Sequence, residues 1–278
     1  MTPSEVLPTE NALPTGNVVP SVRFTVAIVC LNAQQHIIEA LESVAAQSAA
    51  DFELLVIDGG STDRTLELVE SFWDRIPDRT RVVSEPDDGI YDAMNKALAL
   101  ADGEYIVYLG ADDRLMPEAL SVVGAVLRTA APVDIVCGGC RVIGKGGGWT
   151  EPAELLVRRG LPRSAPARHQ SIFVRTAVLR DAGGFDTNFR IAADYDLYLK
   201  LKEAGASEKL VAPVLSEFSL GGTSSRSAIA TAREYRDIRI AHGANAFIER
   251  LMLYKSVLGV WLFALRHRTV GTPSGGGR

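Results

Sequence analysis

Apolar residues along the first half of this chain come in short blocks separated by polar, glycine-rich breaks. FTVAIVCL (Phe24 to Leu31) is apolar and rich in β-branched residues, the pattern of a strand covered on both faces. In QQHIIEALESVAAQS, Ile37, Ile38, Leu41, Val44 and Ala45 recur at helical spacing. The same alternation repeats three times. FELLVID, TRVVSE and EYIVYLG read as strands. STDRTLELVESFWDRI, GIYDAMNKALALAD and MPEALSVVGAVLRTA read as helices, the first of them capped by Ser61 or Thr62. Four strand–helix alternations predict a doubly wound parallel sheet flanked by helices.

After residue 132 the rhythm changes. VDIVCGGCRVIGKGGGWTE reads as two strands around a glycine-rich turn, with CGGC ending the first. EPAELLVRRGLPRSAPAR has no period. HQSIFVR reads as a strand opened by His169, AADYDLYLKLKEAG as a helix, and SEKLVAPVLSEFSLGGTSS as a strand running into a Gly/Ser loop suited to closing over a ligand. The chain from about Ala228 is helical in pattern.

Polar residues collect where the parallel strands end: Asn32 after the first, Asp58 after the second, Asp87 and Asp88 after the third, Asp112 and Asp113 after the fourth. Parallel sheets bind ligands beyond their carboxyl edges, so these groups converge on one crevice. Converging carboxylates repel unless a positive group sits among them. Mg²⁺ or Mn²⁺ carrying a diphosphate answers that need, because such ions take one or two carboxylates and fill the rest of their shell with phosphates and water. Asp63 alone reads better as a turn or cap residue. No GxGxxG follows the first strand and no GxxxxGK[ST] occurs anywhere, which argues against a dinucleotide site and excludes a P-loop.

Composition narrows the classes further. The chain has 278 residues, 47% hydrophobic and 23% charged, with a formal charge of −5. That balance gives no sign of a nucleic-acid partner. The charge is uneven: Ser225 to Arg278 carries nine Lys or Arg against three acids, a basic tail behind an acidic body. Cys30, Cys137 and Cys140 are too few and too odd for a disulfide framework, which suits a reducing compartment. The CxxC has no second ligand pair for zinc, so its thiols are expected to be packed. MTPSEVLPTENALPTGNVVPS lacks the basic start and apolar core of a signal peptide. No run approaches the roughly 20 apolar residues of a membrane span.

The segments TVAIVCLNAQQHIIEALESVAAQS, FELLVIDGGSTDRT, SEPDDGIYDAMNKALALADGEYIVYLGADD and FRIAADYDLYLKL resemble, in order and spacing, the inverting glycosyltransferases of family 2. The similarity is strongest to bacterial enzymes of polysaccharide assembly and covers roughly Phe24 to Gly222. It implies a GT-A fold, an α/β architecture with a mostly parallel central sheet flanked by helices, to which the helical pattern from about Ala228 adds a C-terminal extension. It also implies a nucleotide-diphosphate sugar donor, a carbohydrate or lipid-linked acceptor, and Mg²⁺ or Mn²⁺. The nucleotide would lie near Val29 and Asn32. Asp58 would bond the base, Asp112 would approach the ribose or diphosphate, and Asp113 would hold the metal. Asp92 and Asn95 would face the same crevice, and ADYD would supply the general base.

Two positions depart from the family pattern. Val29, Cys30 and Leu31 precede Asn32 where the family writes Pro-Thr-Tyr, and Gly110 replaces the first acid of the DxD-type motif. Asp194 and Asp196 both qualify as base. Asp194 is preferred because Leu197 and Leu201 share its side of the helix, with Asp196 as the alternative. His169 reads as a contact to acceptor or diphosphate, or as a structural histidine. The expected division is a disordered lead (1–22), a glycosyltransferase domain (23–227, split at 131/132 into nucleotide and acceptor halves), a helical extension (228–270) and a tail (271–278). The extension reads as an interfacial helix on the inner face of the cell membrane, or as a helix packed on the body or on another subunit. The location is otherwise cytoplasmic. A nucleotidyltransferase acting on sugar phosphates is one alternative, although LNAQQH is not the basic glycine-rich loop it would want. A noncatalytic nucleotide- or sugar-binding module of the same fold is the other.

Overall fold

A computed structural model describes residues 24–48, 51–72, 75, 80–129, 132–144, 146–155, 157–158, 161–162, 164–220 and 228–254. The proposed N-terminal lead, the Gly/Ser loop from residue 221 and the stretch from residue 255 onward lie outside them.

The strands are β1 (Phe24–Cys30), β2 (Phe52–Asp58), β3 (Thr80–Ser84), β4 (Tyr105–Gly110), β5 (Arg114–Leu115), β6 (Ile135–Gly144), β7 (Gly147–Glu151), β8 (Val157–Arg158), β9 (Leu161–Pro162), β10 (Ile172–Arg175) and β11 (Glu208–Ser219). The helices are α1 (Ile37–Ala45), α2 (Thr65–Ser71), α3 (Ile90–Leu100), α4 (Ala119–Thr129), α5 (Thr176–Asp181), α6 (Ala193–Glu203) and α7 (Ala228–Ala241). The main sheet runs β3-β2-β1-β4-β10-β6-β11-β5, with β7 beside β6. Its first four strands are parallel, as the alternating pattern predicts. The second half is mixed. β10 enters antiparallel between β4 and β6, and β11 runs parallel to β6 with two register shifts.

All seven residues of β1 are buried, because helices cover both faces. Phe24, Val26, Ile28 and Cys30 belong to the core shared with α1, α2 and α4. Ala27 and Val29 belong to the other core, shared with α3, α5, α6 and Ile238 of α7. Each fully buried Leu or Ile contributes about 1.5–3 kcal/mol by leaving water, so these two layers hold the strand ends in place.

Several local expectations are corrected. The CGGC stretch lies inside β6, because pairing with β7 and β11 carries the strand on to Gly144. Cys137 and Cys140 are buried and free, as is Cys30. His169 does not open a strand. It starts a 3-10 turn (His169–Ser171) and β10 begins at Ile172. The aperiodic stretch contains the small β8–β9 ribbon. Helix α2 starts at Thr65, without a cap from Ser61 or Thr62. The Ser61 hydroxyl is spent on Asp58, and the Asp63 carboxylate accepts the Thr65 N–H instead at 3.0 Å.

Candidate active site

The register of the parallel strands aligns their ends. Asp58 pairs with Ser84 on β3 and with Cys30 on β1, and Val29 lies opposite Gly110 on β4. The predicted residues of the first, second and fourth strand ends therefore share one edge. Val29 itself is 5% exposed, so only its backbone is at the rim.

Two loops at this edge are laced together. Asn32 N–H donates to Ser61 Oγ at 2.7 Å, and Asn32 Oδ1 accepts the Thr62 N–H at 2.9 Å. Ala33 N–H donates to Thr65 Oγ1, Gln34 N–H to Asp63 Oδ2, and Gln34 Oε1 accepts from Arg64 N–H. Asn32 has φ 50°, in the left-handed region that asparagine tolerates better than most residues. Its side chain serves the lacing rather than pointing away from it.

Asp58 has no exposed surface. Oδ2 accepts from Gly60 N–H, Ser61 N–H and Ser84 Oγ, and Oδ1 accepts from the Ser61 hydroxyl. Burial pushes its pKa up, but the bonds from Ser61, Ser84 and Gly60 more than offset this and hold the carboxyl below its usual range. In this structure the carboxylate builds the turn beside the crevice. Next to it, burial first and then the Asp58 charge push the Cys30 thiol far up, so it is inert.

On helix α3 the two candidate side chains, Asp92 and Asn95, have partners within the protein. Asp92 accepts the Asp88 N–H and pairs with Lys96 at 3.5 Å. Asn95 donates to Phe185 O at 2.9 Å and accepts from Phe185 N–H at 2.8 Å, so its amide clamps a loop ninety residues away. Both side chains, expected to face the crevice, have backbone partners within the protein. Tyr91 reaches toward Asp194. Its hydroxyl donates to Ile191 O at 2.8 Å and lies 3.4 Å from Asp194 Oδ1.

The Asp112–Asp113 pair sits on the turn after β4, closed by an Asp113 N–H bond to Gly110 O. A Cβ on Gly110 would stand 2.8 Å from Asp113 Oδ2 and 3.1 Å from Asp112 Oδ1. The two carboxylates thus lean over the residue that lacks a side chain. Asp113 is 3% exposed. It accepts from Gln170 Nε2 and from Ser219 N–H, both at 3.1 Å. Burial, reinforced by the Asp112 charge, pushes its pKa up to about 7 despite those bonds.

Among the described residues no cation pairs with either acid, and no three or more His, Cys, Asp or Glu cluster as a metal set. Two oxygen donors, one buried and uncompensated, fit a hard divalent ion that completes its shell with phosphate and water. They do not fit a closed, all-protein site.

Asp194 and Asp196 start α6 and separate completely. Asp194 Oδ1 accepts the Tyr195 N–H at 2.9 Å, and Oδ2 has no hydrogen-bond partner among the described residues. Asp196 is 3% exposed. It faces the other way, 2.7 Å from Lys200 Nζ and 2.9 Å from His242 Nε2. The charges of both Asp194 and Asp112 act on His169. Burial pushes its pKa down, the two acids opposing, so the ring is neutral near pH 7. Its Nε2 is buried with no hydrogen-bond partner, as is Gln170 Oε1 beside it. Orphaned buried polar atoms are rare, and a pair on one turn at a crevice is where a ligand supplies partners.

Sequence reasoning missed Tyr91 and Gln170, although both flank singled-out residues in GIYDAMN and HQSIFVR. A polar residue next to a motif was the only available signal.

The family model described as Glycosyl transferase family 2 matches residues 25–186. A PGL/p-HBAD biosynthesis glycosyltransferase of Mycobacterium bovis (strain BCG / Pasteur 1173P2) is 33% identical over 181 residues, which is 64% of this chain and 68% of that protein. Among solved structures, the mannosyltransferase PcManGT of Pyrobaculum calidifontis, in complex with GDP-Man and Mn²⁺, superposes with a TM-score of 0.64 at 21% identity, covering 90% of this chain and 76% of that one. S. aureus TarS 1-349 in complex with UDP-GlcNAc superposes at 0.61 and 20% identity, covering 83% and 70%. At these identities the structures establish the GT-A fold.

Proposed function

This chain belongs to glycosyl transferase family 2 and is a glycosyltransferase; from that premise we propose that it moves a sugar from a nucleotide-diphosphate donor to a hydroxyl acceptor, with inversion and with Mg²⁺ or Mn²⁺. The observation that carries this reading is the convergence of Asp112 Oδ1 and Asp113 Oδ2 over Gly110. The donors named for TarS and PcManGT are both nucleotide-diphosphate sugars, which supports the donor class.

In this reading the laced loops at Asn32 and Ser61 form the nucleotide rim, with the backbone at Val29 behind them and Asp58 holding its turn rigid. Asp113, with Asp112 beside it, holds the divalent ion, and Gln170 and Ser219 fix the Asp113 carboxylate. A cation bound there supplies charge stabilisation for the departing diphosphate. Asp194 takes the acceptor hydroxyl proton at Oδ2 as attack begins, while the Tyr195 N–H holds Oδ1 and the Tyr91 hydroxyl lies 3.4 Å from it. One displacement with a single base inverts the anomeric centre. His169 Nε2 contacts the diphosphate or the acceptor hydroxyl.

The acceptor is carbohydrate or lipid-linked, in polysaccharide or glycolipid assembly. The names of the mycobacterial relatives support a biosynthetic role of this kind. No helix among the described residues is long and apolar enough to cross a membrane. A helical segment over 246–254 exposes Phe247, Leu251 and Tyr254 at i, i+4 and i+7, which supports peripheral contact of a cytoplasmic enzyme with the membrane. The domain division we propose keeps the helical extension at 228–270, with its described part packed on α6 through Tyr235 and Ile238.

The test is nucleotide release from a panel of UDP-, GDP- and dTDP-sugars with and without Mn²⁺, followed by NMR of the product anomer. Mn²⁺-dependent release, abolished by Asp113→Ala and giving the inverted anomer, is expected. Turnover indifferent to chelation, or a retained anomer, would overturn the metal or the inversion respectively.

A further inference from the structure

The helix that carries Asp194 does not cap itself. Its N-cap residue is Ala192, which has no side-chain acceptor. A helix N-terminus leaves backbone N–H groups unpaired, and a buried one needs acceptors from elsewhere. The turn that leads into this helix, residues 190–192, is held from α7, which lies beyond the stretch matched by the family model. Glu234 Oε1 accepts the Arg190 N–H at 3.0 Å, and Oε2 accepts those of Ile191 at 2.8 Å and Ala192 at 3.0 Å. These are charge-assisted bonds, roughly twice as strong as neutral ones.

The same peptide stretch is gripped from the opposite side. Tyr91 donates to Ile191 O, and the Arg190 guanidinium donates to Asp88 O. Ile191 is thus held at its N–H by α7 and at its C=O by α3, three residues before Asp194. Helix α7 is itself fastened to α6. Tyr235 stacks on Tyr195 with ring centroids 4.7 Å apart and planes 14° from parallel. Arg239 donates to the Tyr195 hydroxyl at 3.3 Å, and Ile238 is fully buried.

We propose that Glu234 is a positioning residue for catalysis: α7 supplies the carboxylate that fixes the turn 190–192 and thereby aims Asp194 at the acceptor hydroxyl. The inference rests on the reading of Asp194 as base. It makes the C-terminal helix part of the active-site framework and not only an appendage to it. Misplacing a reacting group by about 1 Å costs on the order of a hundredfold in rate, so loss of this hold should appear in turnover before it appears in donor binding.

The experiment uses the full chain with Glu234→Ala, Glu234→Gln, Glu234→Asp and, in parallel, Asp194→Asn. Amide hydrogen exchange is followed at residues 190–196, and kcat and KM are measured with Mn²⁺ and UDP-N-acetylglucosamine or GDP-mannose. We expect the Ile191 and Ala192 amides to exchange at least about tenfold faster in Glu234→Ala. Where either donor is turned over, kcat should fall by about tenfold or more with donor KM changed less than about twofold. Glu234→Asp, which keeps both acceptor oxygens, should recover part of both losses, and Glu234→Gln, with one acceptor, should recover less. Unchanged exchange at 191 and 192 overturns the proposal. So does faster exchange with unchanged kcat in an enzyme that Asp194→Asn inactivates, since the hold is then structural only. If Asp194→Asn keeps its rate, the reading of the base has failed, and the exchange data still report whether the hold exists.

Discussion

Gly110 and Asp113 are placed so that a side chain on the first would occupy the space of the second, 2.8 Å from its Oδ2. The Asp113 carboxylate cannot retreat, because Gln170 and Ser219 hold it in a buried site. Gly110→Ala should therefore displace the carboxylate, lowering Mn²⁺-dependent turnover by about tenfold or more and stability by about 1–3 kcal/mol, the usual cost of overpacking. Gly110→Asp, which restores the missing acid of the motif, should be worse and not better. A Mn²⁺ titration of turnover and a melting curve check both.

Metal and nucleotide should bind as a pair. With only Asp112 and Asp113 converging, the described residues lack the donors to hold a divalent ion alone. Mn²⁺ or UDP alone should each move Tm by less than about a degree, and the two together by several degrees. A large shift with Mn²⁺ alone would mean that the ligand set is wrong.

The two acids of ADYD should fail in different ways. Asp194→Asn should lower kcat by about a hundredfold to ten-thousandfold, the usual contribution of a general base, with little change in Tm. Asp196→Asn removes a buried carboxylate that pairs with the part-exposed Lys200 and the buried His242. It should cost about 1–3 kcal/mol of stability with a smaller effect on kcat well below Tm. Kinetics and calorimetry on the two variants separate them.

His242 should make stability fall with rising pH. Burial lowers its pKa, but bonds to Asp196 and Glu203 more than offset this and raise it above 6.5 in the folded chain. The raised group contributes stability that is complete below the unfolded value and is lost as pH rises through the folded one. Tm should thus decline from about pH 6.5 upward more steeply in the wild type than in His242→Gln. Parallel slopes in the two proteins would rule this out.

Much of this was legible in the residues. Runs such as FTVAIVCL and EYIVYLG encode burial on both faces, so four parallel strands and the edge where they end follow from local pattern. The placement of acids at that edge also follows, since a strand end fixes where the next residue lies. Period alone did not reveal that β10 inserts antiparallel beside β4, because the four residues IFVR carry no mark of their partner.

What the sequence determined was therefore which polar residues stand near the crevice; what only the tertiary structure decided was which of them are free. Asn95 is spent on Phe185, Asp58 on Ser61 and Ser84, and Asp196 on His242. Asp194 keeps one oxygen without a hydrogen-bond partner among the described residues, and the turn leading into its helix is held by Glu234 from far along the chain. Periodicity reports the face a side chain takes on its own element. Whether its hydrogen-bonding capacity is already used depends on partners distant in sequence, brought within 3 Å only by packing.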